Sequence, residues 1–308
     1  MNADRSSLRV GWIGTGVMGA PMARHLLEAG YPVSLFNRTP QRAAPLIKSG
    51  ATWCDSPSAV AEASDVVFTI VGYPNDVRHV WAGEQGLLSG SRPGQVFVDM
   101  TTSSPQLAEE LAESAARRGI SALDAPVSGG DVGARQGTLS IMVGGKHAAF
   151  EQLQPLWQCL GKTIVHHGPP GSGQHAKLVN QTIVAGNMIG LCEALLYAQQ
   201  AGLQLERVLQ SISQGAASSW ALQNLAPRLL NMDLQPGFFV QHFVKDMGLV
   251  LAEAERMRLV LPGLSLVKQL YTSVLSHGGA TLGTQALVIA LAEMSNTTWR
   301  GLSPASDA

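Results

Sequence analysis

Leu8–Arg38, LRVGWIGTGVMGAPMARHLLEAGYPVSLFNR, is the stretch that decides the fold. Leu8 to Ile13 is a short apolar run of strand formers, the pattern of a buried strand. Gly14-Thr15-Gly16-Val17-Met18-Gly19 follows at once with the G-x-G-x-x-G spacing, and Pro21 to Ala29 reads as a helix stopped by Gly30. Tyr31 to Phe36 is a second strand. Strand, glycine turn, helix and strand, in that order, is the context in which the spacing marks a dinucleotide-binding unit. Gly14 permits the tight turn, Gly16 lets a pyrophosphate approach the backbone, and Gly19 lets the helix pack on the strand. The helix N-terminus then offers its N–H groups to the phosphates.

The end of the second strand selects the cofactor. An NAD site places Asp or Glu there for the ribose hydroxyls. Asn37-Arg38-Thr39 stand there instead, so no carboxylate repels a 2′-phosphate. Arg38 can form charge-assisted bonds to that phosphate, and Asn37 and Thr39 neutral ones. The reading is NADP in preference to NAD.

Outward from this stretch, 308 residues allow two domains with their own cores. A formal net charge of -1 and a charged fraction of 14% argue against electrostatic binding of nucleic acid or of anionic membrane. Cys54, Cys159 and Cys192 are dispersed and match no metal-ligand spacing, which fits reduced thiols and a cytoplasmic location; no metal site is expected. The opening MNADRSSLRV lacks the apolar core of a signal peptide, and no stretch has the length and apolarity of a membrane span.

Further along, the alternation of strands and helices continues. Helices are expected at Gln41–Ser49, at Ser56–Ala63 with Ser56 as cap, and at Pro105–Arg118 with Ser104 as cap. Strands are expected at Val66–Val71, Val96–Met100, Ile120–Asp124, Leu139–Val143 and Thr163–His166, with a helix over Ala148–Leu160. This predicts an α/β, Rossmann-type, doubly wound parallel sheet with its ligand crevice at the strand C-termini. The loops Val71–Asn75 and Thr101–Ser103 should reach that crevice. The breaker cluster His167–Gly173 marks a domain boundary, giving a dinucleotide-binding domain over 1–170 and an all-α domain over 171–308. Gln174–Gly202 is apolar on most faces, which predicts a long helix buried between domains or subunits, and at least a dimer. Helices should follow at Leu205–Gln214, Trp220–Leu230, Val240–Met257, Gly263–Ser276 and Thr284–Met294.

Three segments hold candidate chemistry. Ser128-Gly129-Gly130, just after a sheet strand, offers a hydroxyl and open N–H groups suited to a carboxylate, although such a turn is also a common flexible one. Lys177 sits one turn into a largely apolar helix with Asn180 on the same face. It is either a snorkelling lysine or a general acid, because burial eases release of the proton that a carbonyl oxygen needs as hydride arrives. Lys245-Asp246 is either a solvated couple or a pair that closes over the cofactor or holds the Lys177 helix. Tyr73, His167 and His175 are further proton carriers, each read as structural.

Four blocks together resemble the β-hydroxyacid dehydrogenase family, which includes 3-hydroxyisobutyrate dehydrogenases and tartronate, succinic semialdehyde and glyoxylate reductases. They are GWIGTGVMGAPMARHLLEAGY, LDAPVSGGDVGARQGTLSIMVGG, GSGQHAKLVNQ and PGFFVQHFVKDMGLVLAEA, in family order across most of the chain. The resemblance implies that Gly14, Thr15, Gly16, Val17, Met18 and Gly19 hold the pyrophosphate. It implies Thr102 near the nicotinamide side and Lys245 reaching the active site from the helical domain toward the cofactor, while Val71 is a cofactor candidate from its place in a crevice loop. Ser128, Gly129 and Gly130 would bind the substrate carboxylate, with Lys177 as general acid/base and Asn180 beside it. Gln181 after Asn180 and the Asn37-Arg38-Thr39 segment resemble the reductase branch, while Phe238 and Phe239 form an apolar substrate wall. The implied reaction interconverts a small β-hydroxyacid and its semialdehyde in a homodimer or homotetramer. A 3-hydroxyisobutyrate dehydrogenase is the alternative within the family. Imine reductases usually lack the lysine, and a non-catalytic cofactor-binding relative should have lost it.

Overall fold

The strands in chain order are β1 Val10–Ile13, β2 Val33–Phe36, β3 Thr52–Trp53, β4 Val66–Thr69, β5 Val96–Asp99, β6 Ser121–Asp124, β7 Val127–Ser128, β8 Leu139–Gly145 and β9 Gly161–Gly168. They come from a computed structural model that describes residues 7–300. The start of the segment read for a leader, residues 1–6, lies outside the described residues, as do residues 301–308.

The strands form one sheet in the order β3-β2-β1-β4-β5-β6-β8-β7, with β9 also paired to β8. From β3 to β6 every pairing is parallel. The chain reverses its direction of travel across the sheet at β1, which lies between β2 and β4, the switch point where such folds bind ligands. Strand residues alternate between two cores: Val10, Trp12, Val66, Phe68, Val96 and Val98 enter one, and Ile13, Val67 and Phe97 the other. Both faces of the sheet are therefore buried, as a doubly wound sheet requires.

The first helices are α1 Gly19–Glu28, α2 Ala44–Lys48, α3 Pro57–Ala63, α4 Pro74–Ala82, α5 Pro105–Ala116, α6 Gly130–Gln136, α7 His147–Gln152 and α8 Gln154–Leu160. The expected caps are in place: Ser56 accepts from the Ala59 amide at 3.1 Å and Ser104 from the Leu107 amide at 3.2 Å. Several expectations need correction. Part of the loop expected at Val71–Asn75 is helix, because Pro74 opens α4 and Val77, Val80 and Trp81 bury one face of it. The helix expected over Ala148–Leu160 breaks at Leu153, and a new one starts at Gln154 with Pro155 in its first turn. The sheet is not wholly parallel, since β8 runs antiparallel to β6 and β7. Only α6 lies between β7 and β8, and so short a connection cannot make a parallel crossover.

Helix α9, Ser172–Gln200, carries the chain from a first compact unit ending at Lys177 into a second beginning at Leu178. The division falls inside the helix. The second unit continues with α10 Leu205–Ile212, α11 Trp220–Asn224, α12 Ala226–Leu230, α13 Val240–Arg256, α14 Pro262–Ser276 and α15 Leu287–Met294. It is helical as expected, except that the helix predicted over Trp220–Leu230 divides at Leu225, ahead of Pro227. Its core gathers Cys192, Leu195, Leu229, Phe243, Tyr271, Leu287 and Trp299.

Candidate active site

The glycine turn after β1 is tight on two sides and open on one. Gly14 has φ +98°, a region L side chains rarely enter, and a Cβ there would collide with the Ile70 carbonyl oxygen. A Cβ on Gly19 would collide with the Gly14 carbonyl oxygen, so α1 packs tightly on the turn. Gly16 faces open space, with no heavy atom within 4 Å of where its Cβ would stand. Thr15 Oγ1 is buried and, among the described residues, has no hydrogen-bond partner. An open backbone beside an orphaned hydroxyl fits a pyrophosphate, with Val17 and Met18 completing the turn.

At the end of β2, the Asn37 carboxamide braces this turn. Its Oδ1 accepts from the Thr15 amide at 2.9 Å, and its Nδ2 donates to the Thr39 carbonyl oxygen at 2.8 Å. Arg38 projects outward, and its Nη1 lies 3.2 Å from Asp76 Oδ1 on α4. Thr39 is exposed.

The loops after β4 and β5 are tied together. The Val71 amide donates to Thr101 Oγ1 at 2.9 Å, placing Val71 beside the segment that holds Thr102. Below them Asp99 accepts from Thr69 Oγ1 at 2.9 Å and from the Thr101 amide at 3.2 Å. Asp99 and Asp124, neighbours in register on β5 and β6, line a small cavity with Trp81, Leu107 and Leu111. Burial pushes the Asp99 carboxyl up to about 7 against the opposing bonds from Thr101 and Thr69. Burial also raises Asp124, against N–H bonds from Gly171 and Gln174.

Ser128 ends β7 and pairs in register with Ser140. Gly129, at φ 129°, caps α6, and Gly130, at φ 61°, begins it. The expected turn is thus a strand end joined to a helix start, with main-chain angles that favour glycine at both positions.

Lys177 lies on the second turn of α9 and is 6% exposed, at odds with a snorkelling side chain. The turn before it is anchored within the first unit. Asp124 accepts from the Gly171 and Gln174 amides, each at 2.8 Å, while the Gln174 side chain bonds the backbone of Thr101 and Ser103.

The second unit brings four residues named in the sequence, Asn180, Gln181, Lys245 and Asp246, into one polar chain. Asn180 Nδ2 donates to Gln181 Oε1 at 2.7 Å, Gln181 Nε2 to Asp246 Oδ2 at 2.6 Å, and Lys245 Nζ lies 2.8 Å from Asp246 Oδ1. Asp246 is 2% exposed, so Lys245-Asp246 is a buried pair and not a solvated couple. The link to Gln181 joins α13 to α9, so the pair holds the helix that carries Lys177, one of the alternatives read for it; that Gln181 is the partner was not legible in the sequence. Phe238, just before α13, packs its ring on Phe243 with centroids 5.4 Å apart. Asp99, Asp124 and Gln174 were also missed as site residues. Their one signal in the sequence is a polar residue at the end of an apolar strand or inside an apolar helix.

Comparison with known proteins places nearly the whole chain among known folds and families. Residues 9–168 match the NAD-binding domain family of 6-phosphogluconate dehydrogenase, and residues 171–291 match the NAD-binding family of NADP-dependent 3-hydroxyisobutyrate dehydrogenase. A relative from Arabidopsis thaliana, probable 3-hydroxyisobutyrate dehydrogenase-like 1, mitochondrial, is 52% identical over 95% of this chain and 88% of its own. The 2-hydroxy-3-oxopropionate reductase of Escherichia coli is 40% identical over 94% of this chain and 99% of its own. Among solved structures, the 3-hydroxyisobutyrate dehydrogenase of Mycobacterium tuberculosis with L-serine aligns at a TM-score of 0.84 and 30% identity, covering 92% of this chain and 99% of that one.

Proposed function

The chain belongs to the β-hydroxyacid dehydrogenase family, and from that premise we propose that it interconverts a small β-hydroxyacid and its semialdehyde, with Lys177 as general acid and base. It is an oxidoreductase acting on CH–OH groups with a nicotinamide cofactor. We read that cofactor as NADP on the strength of Arg38 at the end of β2. The substrate class is tartronate or succinic semialdehyde, or glyoxylate. 3-Hydroxyisobutyrate is the second reading, favoured by the names of the Arabidopsis and Mycobacterium relatives. Dispersed free thiols support a cytoplasmic location. Among the described residues, no helix is long and apolar enough to cross a membrane.

The observation that carries the reading is a buried lysine on α9, anchored to the unit that holds the dinucleotide turn. Gly14 to Gly19 would hold the pyrophosphate of the dinucleotide, whose nicotinamide, when bound, would supply the hydride that the carbonyl carbon takes up. Lys177 gives its proton to the carbonyl oxygen and stabilises the charge that develops there. Asn180 orients the same oxygen, with its own amide steadied by Gln181. Ser128, Gly129 and Gly130 take the carboxylate, Phe238 limits the acyl group, and Lys245 acts toward the cofactor.

Initial rates with NADPH against glyoxylate and tartronate, succinic and methylmalonate semialdehydes, and with 3-hydroxyisobutyrate in reverse, identify the substrate. Lys177→Ala should then lose about 10²–10⁴-fold in kcat while NADPH still binds. Lys177→Arg should fail too, because guanidinium keeps its proton. Near-wild-type turnover by Lys177→Ala would make the lysine structural and overturn the mechanism.

A further inference from the structure

Gln174 is fully buried, and its carboxamide is committed to the backbone on both sides of Thr102. Its Nε2 donates to the Thr101 carbonyl oxygen and its Oε1 accepts from the Ser103 amide, each at 2.8 Å. The same residue's own amide is held by Asp124 at 2.8 Å, so β6 supplies the carboxylate that caps the first turn of α9. A Cβ on Gly173 would collide with the carbonyl oxygens of Met142 and Asp124, so this turn sits directly on the end of β6 and on β8. Gln174 and Lys177 are three apart on the helix and share a face. The loop and the first turn of α9, 71 residues apart at Ser103 and Gln174, thus meet through one side chain.

We propose that Gln174 is a positioning residue for the reaction, fixing the loop that carries Thr102 in register with the helical turn that carries Lys177. This role rests on the functional reading of Lys177 and Thr102 given above. The site needs one donor and one acceptor at the end of a three-carbon reach, uncharged and away from water. Glutamine provides that combination. Glutamate would set a carboxylate oxygen against the Thr101 carbonyl. Methionine, close in size, would leave a buried N–H and C=O without partners. Either change lets the loop shift, and a misplacement of about 1 Å in a reacting constellation can cost on the order of 10²-fold in rate.

The test compares wild type, Gln174→Met and Gln174→Glu by four measurements: NADPH Kd, kcat, the primary isotope effect with NADPH deuterated at the transferred position, and hydrogen exchange at the Ser103 amide. The expected result is a kcat lower by roughly 10–10²-fold, with NADPH Kd close to wild type, a larger isotope effect as hydride transfer becomes limiting, and faster exchange at Ser103. A purely structural glutamine would lower the folded fraction and leave kcat per folded site and the isotope effect unchanged. That outcome overturns the role, as does unaltered Ser103 exchange. Should Gln174→Met fail to fold, Gln174→Glu carries the same readouts. A wild type that turns over none of the screened acids overturns the functional reading and this role with it. An active wild type whose Gln174 variants match it overturns this role alone.

Discussion

Arg38 meets a carboxylate within the protein before it meets any phosphate. Its side chain is 87% exposed, and its pairing with Asp76 at 3.2 Å is therefore weak. A 2′-phosphate would compete with Asp76 for the guanidinium and would also feel its repulsion. Asp76→Asn should tighten NADPH binding by up to about fivefold, the worth of an exposed ion pair of ~1 kcal/mol, and leave NADH unchanged. The gain should fade at high salt. Arg38→Asp should reverse the preference, by removing the cation and supplying a ribose-binding carboxylate. Fluorescence titrations of both dinucleotides decide the matter. A wild type that prefers NADH sinks the NADP reading, and an unchanged NADPH Kd in Asp76→Asn sinks the role of Asp76.

Among the elements, α9 has the most to do. It starts on the sheet ends and carries Lys177, Asn180 and Gln181. Its face of Leu178, Ala185, Met188, Cys192 and Leu195 enters the core of the second unit. Another face leaves Val179, Ile183 and Tyr197 exposed, and between them Gly186 and Gly190 have open space beside them. Apolar residues with two glycines one turn apart let a second helix approach closely, which supports the proposed homodimer or homotetramer. Ile183→Glu should lower the particle mass in sedimentation without unfolding the protein. A wild type that sediments as a monomer, or a variant of unchanged mass, contradicts a self-association face here.

For the molecule as a whole, Asp99 makes stability depend on pH. Its carboxyl stands at about 7 in the folded protein against an ordinary 3.8. The folded state therefore binds a proton that the unfolded chain has released between those values. Unfolding gives up that proton, so the contribution to stability falls as pH rises through this window and is level above it. Asp99→Asn, a neutral isostere, should remove the decline, amounting to a few kcal/mol across the window. Urea melts at a series of pH values test this through the wild-type minus variant difference. Parallel curves would show that Asp99 does not titrate there.

By itself the sequence determined what short-range pattern can encode. The turn Gly14–Gly19 between strand and helix, the two-faced apolar strands, the serine caps Ser56 and Ser104, and the place of Lys177 on a long apolar helix are features of neighbours a few residues apart. Spacing and side-chain chemistry reveal these directly. The tertiary structure alone decided how the polar groups are paired. Gln174 holds Thr101 across 73 residues, Gln181 meets Asp246 across 65, and Arg38 finds Asp76 across 38. Such bonds leave no periodic trace, because each partner's position is set by the packing of different elements. The antiparallel return of β8 was hidden for a related reason: the helix before it is too short for a crossover, and that became visible only once Gly130–Gln136 was seen to be a helix. Local pattern thus placed the lysine on its helix, and packing decided what holds that helix still.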